Sequence, residues 1–168
     1  MGLLIIGNKI CIIINEICKY ICVILTGILV SLISIAVFYR YILQNALSWP
    51  EEIAGFCFVW LTMLGAVMCL FNKAHIGVSV LVNKFPLTLK KAVYIFMYIL
   101  MLIFSYLIMS QGYLLLNIVS KQLSPTLRLN MGIEYFAIPL TGSIFLIYLL
   151  VSLLNFVISG NDEIRSDF

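Results

Sequence analysis

Residues 20–39 read YICVILTGILVSLISIAVFY, a run of 20 residues without a charge. An α-helix needs about 20 consecutive apolar residues to cross the hydrocarbon core of a bilayer. Lys19 precedes the run and Arg40 follows it, so a charged residue marks each end. The stretch therefore predicts a transmembrane helix. Its length is the criterion by which other spans can be found in the chain.

Three further uncharged runs of sufficient length follow, at residues 53–72, 92–120 and 135–159. A membrane β-barrel needs alternating strands of about ten residues instead. Helices satisfy every backbone polar group internally, which lipid cannot do. We therefore predict an all-α integral membrane protein with four transmembrane helices, organised as a single membrane domain over residues 1–168.

Composition supports this fold class. Of the 168 residues, 64% are hydrophobic and 10% are charged, against roughly 45–50% and about 25% in soluble domains. These values exclude an ordinary soluble domain, a disordered chain and a collagen-like fibre, and they argue against a self-contained enzyme. The net charge of +3 requires no nucleic acid, because basic residues at membrane edges meet phospholipid headgroups.

Segments 3–19, 41–49 and 74–89 are too polar to span and too apolar to be free loops. We expect them to be interfacial helices lying at the membrane surface, and for 74–89 a partly re-entrant segment is the alternative. For residues 1–19 an extension of the first span is the alternative.

Lysine and arginine predict the orientation. With four spans, the two termini and the connection between spans two and three lie on one side. That side holds seven basic residues and the other side holds three, so the positive-inside rule places the N- and C-termini in the cytoplasm. The predicted inner interfacial anchors are Lys73, His75, Lys84, Lys90 and Lys91.

No Asp, Glu, Lys, Arg or His lies within the four runs, although coupled carriers usually keep such groups at membrane depth. His75 is the only histidine, and the five cysteines include no C-x-x-C pair. We therefore predict no cofactor or metal, and we interpret the cysteines as packing residues. Polar residues of the third run, Gln111 and Asn117 among them, are interpreted as interhelical contacts rather than as a pathway.

The densest polar cluster precedes the second span. Ser48 and Glu51 have the spacing of a capping box, and Pro50 suits a first helical turn. Trp49 belongs at the headgroup level. The cluster also suits a docking surface for a partner. The predicted outer docking surface and helix cap comprise Arg40, Ser48, Trp49, Glu51, Glu52, Arg128 and Glu134.

The second span has a bulky face and an opposite stripe of small residues, where another helix could approach closely. The α2 stripe consists of Gly55, Thr62, Ala66 and Cys69. Trp60 at mid-span is unusual, since tryptophan prefers interfaces, and burial against a partner is one explanation. The predicted partner interface comprises Gly55, Trp60, Thr62, Leu64, Gly65 and Ala66.

Fragments of the sequence, taken in order, resemble the small membrane (Q) subunit of tripartite ATP-independent periplasmic (TRAP) transporters. The resemblance covers nearly the whole chain. The fragments are RY at 40–41, LSWPEE at 47–52, FVWL at 58–61, LGA at 64–66, HIGV at 75–78, KFP at 84–86, SP at 124–125 and IPLTG at 138–142.

This resemblance implies a scaffold subunit of a sodium-coupled importer of an organic acid, such as a C4-dicarboxylate or sialic acid. The implied partners are a large M subunit, which binds the sodium, and a periplasmic binding protein. The implied location is the bacterial inner membrane. The alternative from the residues alone is an autonomous four-helix carrier acting as an oligomer, and transport by this chain alone would distinguish it.

Overall fold

The computed structural model describes residues 2–72 and 87–159, with side chains for 7–72, 93 and 95–154. Four stretches of this part of the chain are long and apolar enough to cross a membrane, and no strand occurs in it. The predicted all-α fold with four spans is confirmed. The helices are α1 Gly2–Tyr41, α2 Trp49–Phe71, α3 Leu87–Val119, α4 Gly132–Tyr135 and α5 Ala137–Ser159.

Helix α1 is continuous over 40 residues. At 1.5 Å per residue it measures about 60 Å, about twice the hydrocarbon thickness of a bilayer. No helix boundary occurs at the predicted transition between segment 3–19 and span 20–39. Glu16 and Lys19 pair within the helix, with Nζ and Oε2 3.7 Å apart. Polar residues that pair along one helix do not interrupt it.

The segment predicted as an interfacial helix at 41–49 is not a helix. Tyr41 ends α1, Trp49 begins α2, and residues 42–48 form the turn between them. The amide of Asn45 bonds back to the Tyr39 carbonyl at 3.1 Å, and Gln44 has a φ of 50°. Seven residues suffice only to reverse the chain. Of the third predicted segment, residues 74–86 lie outside the described ranges, and 87–89 already belong to α3.

Packing pairs α1 with α2 and α3 with α5, and α2 joins the two pairs by packing on α5. A short turn makes α1 and α2 antiparallel neighbours. Cys18, Leu64 and Val67 form a buried cluster, against which Ile144 and Phe145 of α5 pack. The core therefore lies where α1, α2 and α5 meet, and α3 lies outside it against α5.

The α3–α5 pair is packed most closely at two glycines. A Cβ at Gly142 would lie 2.6 Å from the backbone nitrogen of Met109. A Cβ at Gly112 would lie 3.0 Å from the nitrogen of Pro139. Small residues allow this close backbone approach between transmembrane helices.

Helices α2 and α5 run in the same direction but are staggered. The Trp60 indole donates a hydrogen bond to the Ile133 carbonyl at 3.1 Å, and the Tyr148 hydroxyl donates to the Phe71 carbonyl at 3.1 Å. Glu52 lies eight residues before Trp60, so α2 extends about 12 Å beyond the start of α4. We call this end of the molecule, with residues 42–48 and 120–131, the loop end.

Candidate interaction surfaces

At the loop end, Arg40 and Glu51 form a salt bridge between the last turn of α1 and the first turn of α2. The structure thus brings together two residues of the predicted docking surface. Both side chains are about half exposed, at 49% and 54%. Exposed ion pairs contribute roughly 0.2–1 kcal/mol, so this pair fixes the geometry of the turn more than it stabilises the fold.

The predicted capping box at the start of α2 does not form. Ser48 has φ −89° and ψ −26°, and its side chain makes no capping hydrogen bond. An N-cap residue usually needs extended backbone angles to direct its oxygen at the helix amides, and Ser48 is already helical. The Glu51 carboxylate pairs with Arg40 instead. Pro50 does lie in the first turn, as predicted, and it is buried.

Glu52 connects α2 to a loop more than seventy residues away. Its Oε2 accepts a hydrogen bond from the Thr126 amide at 2.8 Å, and its Oε1 accepts one from the Leu127 amide at 3.3 Å. One carboxylate therefore receives two backbone N–H groups and holds the 120–131 loop against the first turn of α2.

That loop is also closed on itself. Ser124, only 2% exposed, donates its amide to the Leu129 carbonyl at 2.8 Å, and its hydroxyl accepts the Leu129 amide at 2.9 Å. Arg128 projects from the closed loop, exposed and with a φ of 53°. Gly132 ends the loop where a Cβ would lie 2.8 Å from Asn130 Oδ1.

The remaining residues of the predicted docking surface lie at the same end. Trp49 begins α2 and is 37% exposed. Glu134 lies in the short helix α4 and is partly buried. An open groove of about 320 Å³ separates the ends of α1 and α2. It is lined by Ile33, Ala36, Val37, Arg40, Pro50, Glu51 and Ala54.

The small-residue stripe of α2 faces away from the other helices. Gly55, Thr62 and Ala66 are exposed, and Phe58 beside them is 60% exposed. A Cβ at Gly55 or Gly65 would meet no atom within 4 Å. A second helix therefore has access to this face of α2.

The two bulky residues of the predicted partner interface contact their own chain. Leu64 is 3% exposed in the buried cluster. Trp60 bonds to Ile133, and its ring packs against Phe136 with centroids 6.4 Å apart. These intramolecular contacts account for a tryptophan at mid-span. The assignment of the six residues to a partner interface remains a prediction.

Cysteine positions agree with the packing interpretation at three sites, since Cys11, Cys18 and Cys57 are buried. Cys69 is exposed along the α2 stripe. Among the described residues, no group of three or more His, Cys, Asp or Glu side chains is placed to hold a metal ion.

The predicted inner anchors fall mostly outside the structural description. Lys73, His75 and Lys84 lie in the segment 73–86. Lys90 and Lys91 belong to the first turns of α3, but their side chains are not among those described. Their anchoring role remains a prediction.

Comparison with known proteins identifies the family. Residues 29–158 match the family model described as tripartite ATP-independent periplasmic transporters, DctQ component. The chain belongs to this family. It is therefore a small (Q) subunit of a TRAP transporter permease and a multi-pass membrane protein, as the sequence resemblance indicated. The family comprises transporter subunits rather than a class of enzymes.

Two similar proteins of Haemophilus influenzae carry the name TRAP transporter small permease protein. One is 31% identical over 150 residues, covering 88% of this chain and 93% of the relative. The other is 21% identical over 145 residues, covering 86% and 88%.

A third relative is the isethionate TRAP transporter permease protein DctMQ of Oleidesulfovibrio alaskensis. It is 26% identical over 136 residues, covering 74% of this chain but 21% of that protein. There, the part similar to this Q subunit belongs to a longer permease chain. TRAP Q subunits work with a large M subunit.

Sequence reasoning missed the contact of Glu52 with Thr126 and Leu127. One signal was present, because two adjacent carboxylates follow Pro50 while a single arginine ends the preceding span. Since Arg40 pairs with Glu51, Glu52 is left to bond elsewhere. Its partners are the backbone amides of Thr126 and Leu127, and backbone amides cannot be recognised from a pattern of side chains.

Proposed function

We propose that this Q subunit is a non-transporting scaffold of a sodium-coupled TRAP importer of an organic acid, a C4-dicarboxylate or sialic acid. It works in the bacterial inner membrane with a large M subunit and a periplasmic binding protein. The observation that carries the proposal is the exposed small-residue stripe of α2 in a chain whose predicted spans contain no Asp, Glu, Lys, Arg or His. Such a chain offers a helix-packing surface but no site at depth for coupling ions.

The M subunit contacts the α2 stripe at Gly55, Thr62 and Ala66, together with the adjacent Gly65. Three of these residues are exposed, and among the described residues no atom of this chain lies within 4 Å of a Cβ placed on either glycine. Small residues let a partner helix come close enough for extensive van der Waals contact. Trp60 and Leu64 act indirectly, because they fix α2 against α5 and so hold the stripe in place.

The binding protein docks at the loop end. Arg128 and Trp49 provide exposed side chains there, and the Arg40–Glu51 and Glu52 contacts hold the surface in shape. This arrangement requires the loop end to face the periplasm and both termini to face the cytoplasm, where the basic inner residues meet phospholipid headgroups. Sodium and substrate bind the M subunit.

Reconstitution into proteoliposomes tests the scaffold role. The M subunit, the binding protein and candidate organic acids are combined with and without this chain, under an inward sodium gradient. We expect sodium-dependent uptake only when both membrane subunits and the binding protein are present. Equal uptake without this chain would contradict the proposal, and uptake by this chain alone would establish the autonomous carrier.

The α2 interface has a matched pair of variants. Ala66→Phe places a large ring in the stripe, whereas Val30→Phe places one on exposed α1. We expect Ala66→Phe to lower recovery of the M subunit with the tagged chain at least threefold and Val30→Phe to leave it unchanged. Equal recovery for both variants would exclude the stripe as the interface.

A further inference from the structure

Within its span, helix α3 carries a heptad seam that the described residues of this chain leave exposed. Five exposed residues recur at spacings of three, four, three and four, the pattern by which one helix packs its side chains into another. Four of them are large apolar residues, between 48% and 64% exposed. The fifth, Gln111, lies at the centre. The seam consists of Phe104, Leu107, Gln111, Leu114 and Ile118.

The seam is separate from the face that α3 uses within this chain. Ser105, Gly112 and Val119 are buried, and Gly112 lies against Ile138 and Pro139. Phe104, Gln111 and Ile118 lie one position before these residues, and Leu107 and Leu114 lie two positions after Ser105 and Gly112, so the seam is about 100–160° around the helix from the buried face. Packing on α5 therefore leaves the seam open.

Gln111 distinguishes this surface from one that simply faces lipid. Exposed hydroxyls elsewhere in the spans are satisfied within their own helix. Thr26, Ser31 and Thr62 each donate to the carbonyl four residues earlier, at 2.7–2.8 Å. A carboxamide has two N–H donors and an acceptor. The Gln111 amide has no hydrogen-bond partner within the described part of the chain.

The position of Gln111 makes this unsatisfied amide costly. The span in α3 covers Ile95–Val119, so Gln111 lies four residues, or about 6 Å, from its midpoint. Acyl chains offer neither donors nor acceptors. A hydrogen-bonding occupant therefore fits the seam better than lipid does, and heptad spacing indicates that the occupant is a helix.

We propose that a transmembrane helix of the large M subunit covers the α3 seam, with Gln111 hydrogen-bonded to a polar side chain or backbone carbonyl of that helix. This inference rests on the proposed function, which makes M the partner. The DctMQ relative supports the choice, because its Q-like part covers only 21% of one longer permease chain. A single polar residue in a heptad seam also fixes the register between two helices.

Photocrosslinking in the assembled complex tests the occupant. The crosslinking residue p-benzoylphenylalanine is placed at Leu107 or Leu114 of the seam, at Phe58 beside the α2 stripe, and at Val30 of α1 as a control. The complex is isolated through a tag on this chain. We expect crosslinks to M from Leu107 and Leu114 and none from Val30.

A matched pair of substitutions tests the hydrogen bond. Gln111→Leu removes the carboxamide in the seam, and Asn117→Leu removes an exposed carboxamide of the same helix outside the seam. Interhelical hydrogen bonds in membranes average about 0.6 kcal/mol, which corresponds to about threefold in an equilibrium constant. In the same detergent, we expect the dissociation constant of the complex with M to rise about threefold for Gln111→Leu. The Asn117→Leu complex should have the dissociation constant of the parent.

The outcomes separate this inference from the proposed function. If the complex is intact and M crosslinks to Phe58 but not to Leu107 or Leu114, M does not cover the α3 seam. The proposed scaffold function is unaffected by that result. Seam crosslinks to a second copy of this chain, or to lipid alone, also overturn it. Failure of M to copurify under any condition refutes the proposed function itself. If the Gln111→Leu and Asn117→Leu complexes are equally stable, Gln111 makes no stabilising hydrogen bond to M.

Discussion

The two helix pairs of this subunit differ in how closely their helices approach. Helices α3 and α5 approach closely at Gly112 and Gly142, where backbone atoms leave no room for a side chain. Helices α1 and α2 share the buried cluster of Cys18, Leu64 and Val67, but at the loop end an open groove separates them and the exposed Arg40–Glu51 pair joins them. An added side chain meets backbone atoms at the two glycines, whereas the groove leaves space for one. The α3–α5 pair should therefore tolerate substitution least.

Gly142→Val gives the largest expected effect. The new Cβ meets the Met109 backbone nitrogen, which cannot move without shifting α3, and overpacking of this kind costs about 1–3 kcal/mol. Gly27→Val is the matched control, because no atom of the described residues lies within 4 Å of a Cβ at that exposed position on α1. Thermal unfolding in detergent, followed by circular dichroism, should show a lower midpoint for Gly142→Val only. Equal midpoints would show that the α3–α5 contact at Gly142 accommodates a side chain without cost.

Removal of the Arg40–Glu51 pair should have a smaller effect. The coupling free energy from a double-mutant cycle of Arg40→Gln and Glu51→Gln is expected to be about 0.5 kcal/mol, because both side chains are half exposed. It should decrease as salt is added. A coupling above about 2 kcal/mol would mean that this pair contributes as much as glycine packing, and the contrast between the helix pairs would then disappear.

Glu52→Gln should change local structure with little effect on the overall unfolding midpoint. The neutral amide is a weaker acceptor for the Thr126 and Leu127 N–H groups, since charge-assisted hydrogen bonds are the stronger ones. Hydrogen exchange at these two amides should accelerate, and Glu51→Gln should leave them unchanged. Unaltered exchange in both variants would show that the loop is held by its own hydrogen bonds around Ser124.

The sequence predicted the fold class and the four spans because uncharged runs of 20 residues or more admit few other structures. An interfacial helix at 41–49 was wrong, because those residues form a turn between α1 and α2. For residues 1–19 the sequence left two structures open, an interfacial helix or an extension of the first span, and α1 is continuous across this boundary. Three cysteines were correctly assigned to packing. The capping box was wrong because Glu51 had a competing partner, Arg40, across the turn.

The surfaces were partly predictable. The small-residue stripe of α2 follows from helical spacing, and the structure leaves it exposed. Which large residues turn inward does not follow from spacing, because Trp60 and Leu64 are fixed by contacts with α1, α4 and α5. The Glu52 contact joins residues more than seventy positions apart through backbone amides, so no side-chain pattern records it.

The stagger of α2 has a consequence for the surrounding bilayer. By helix rise, Glu52 lies about 12 Å beyond the level at which Trp60 bonds to Ile133. The 120–131 loop fills that step, because the Thr126 and Leu127 amides bond to the Glu52 carboxylate. A flat leaflet that reached Arg40 and Glu51 on the α1–α2 side would therefore also have to accommodate this polar loop on the α3–α5 side, at a cost of fractions of a kcal/mol per Å of mismatch.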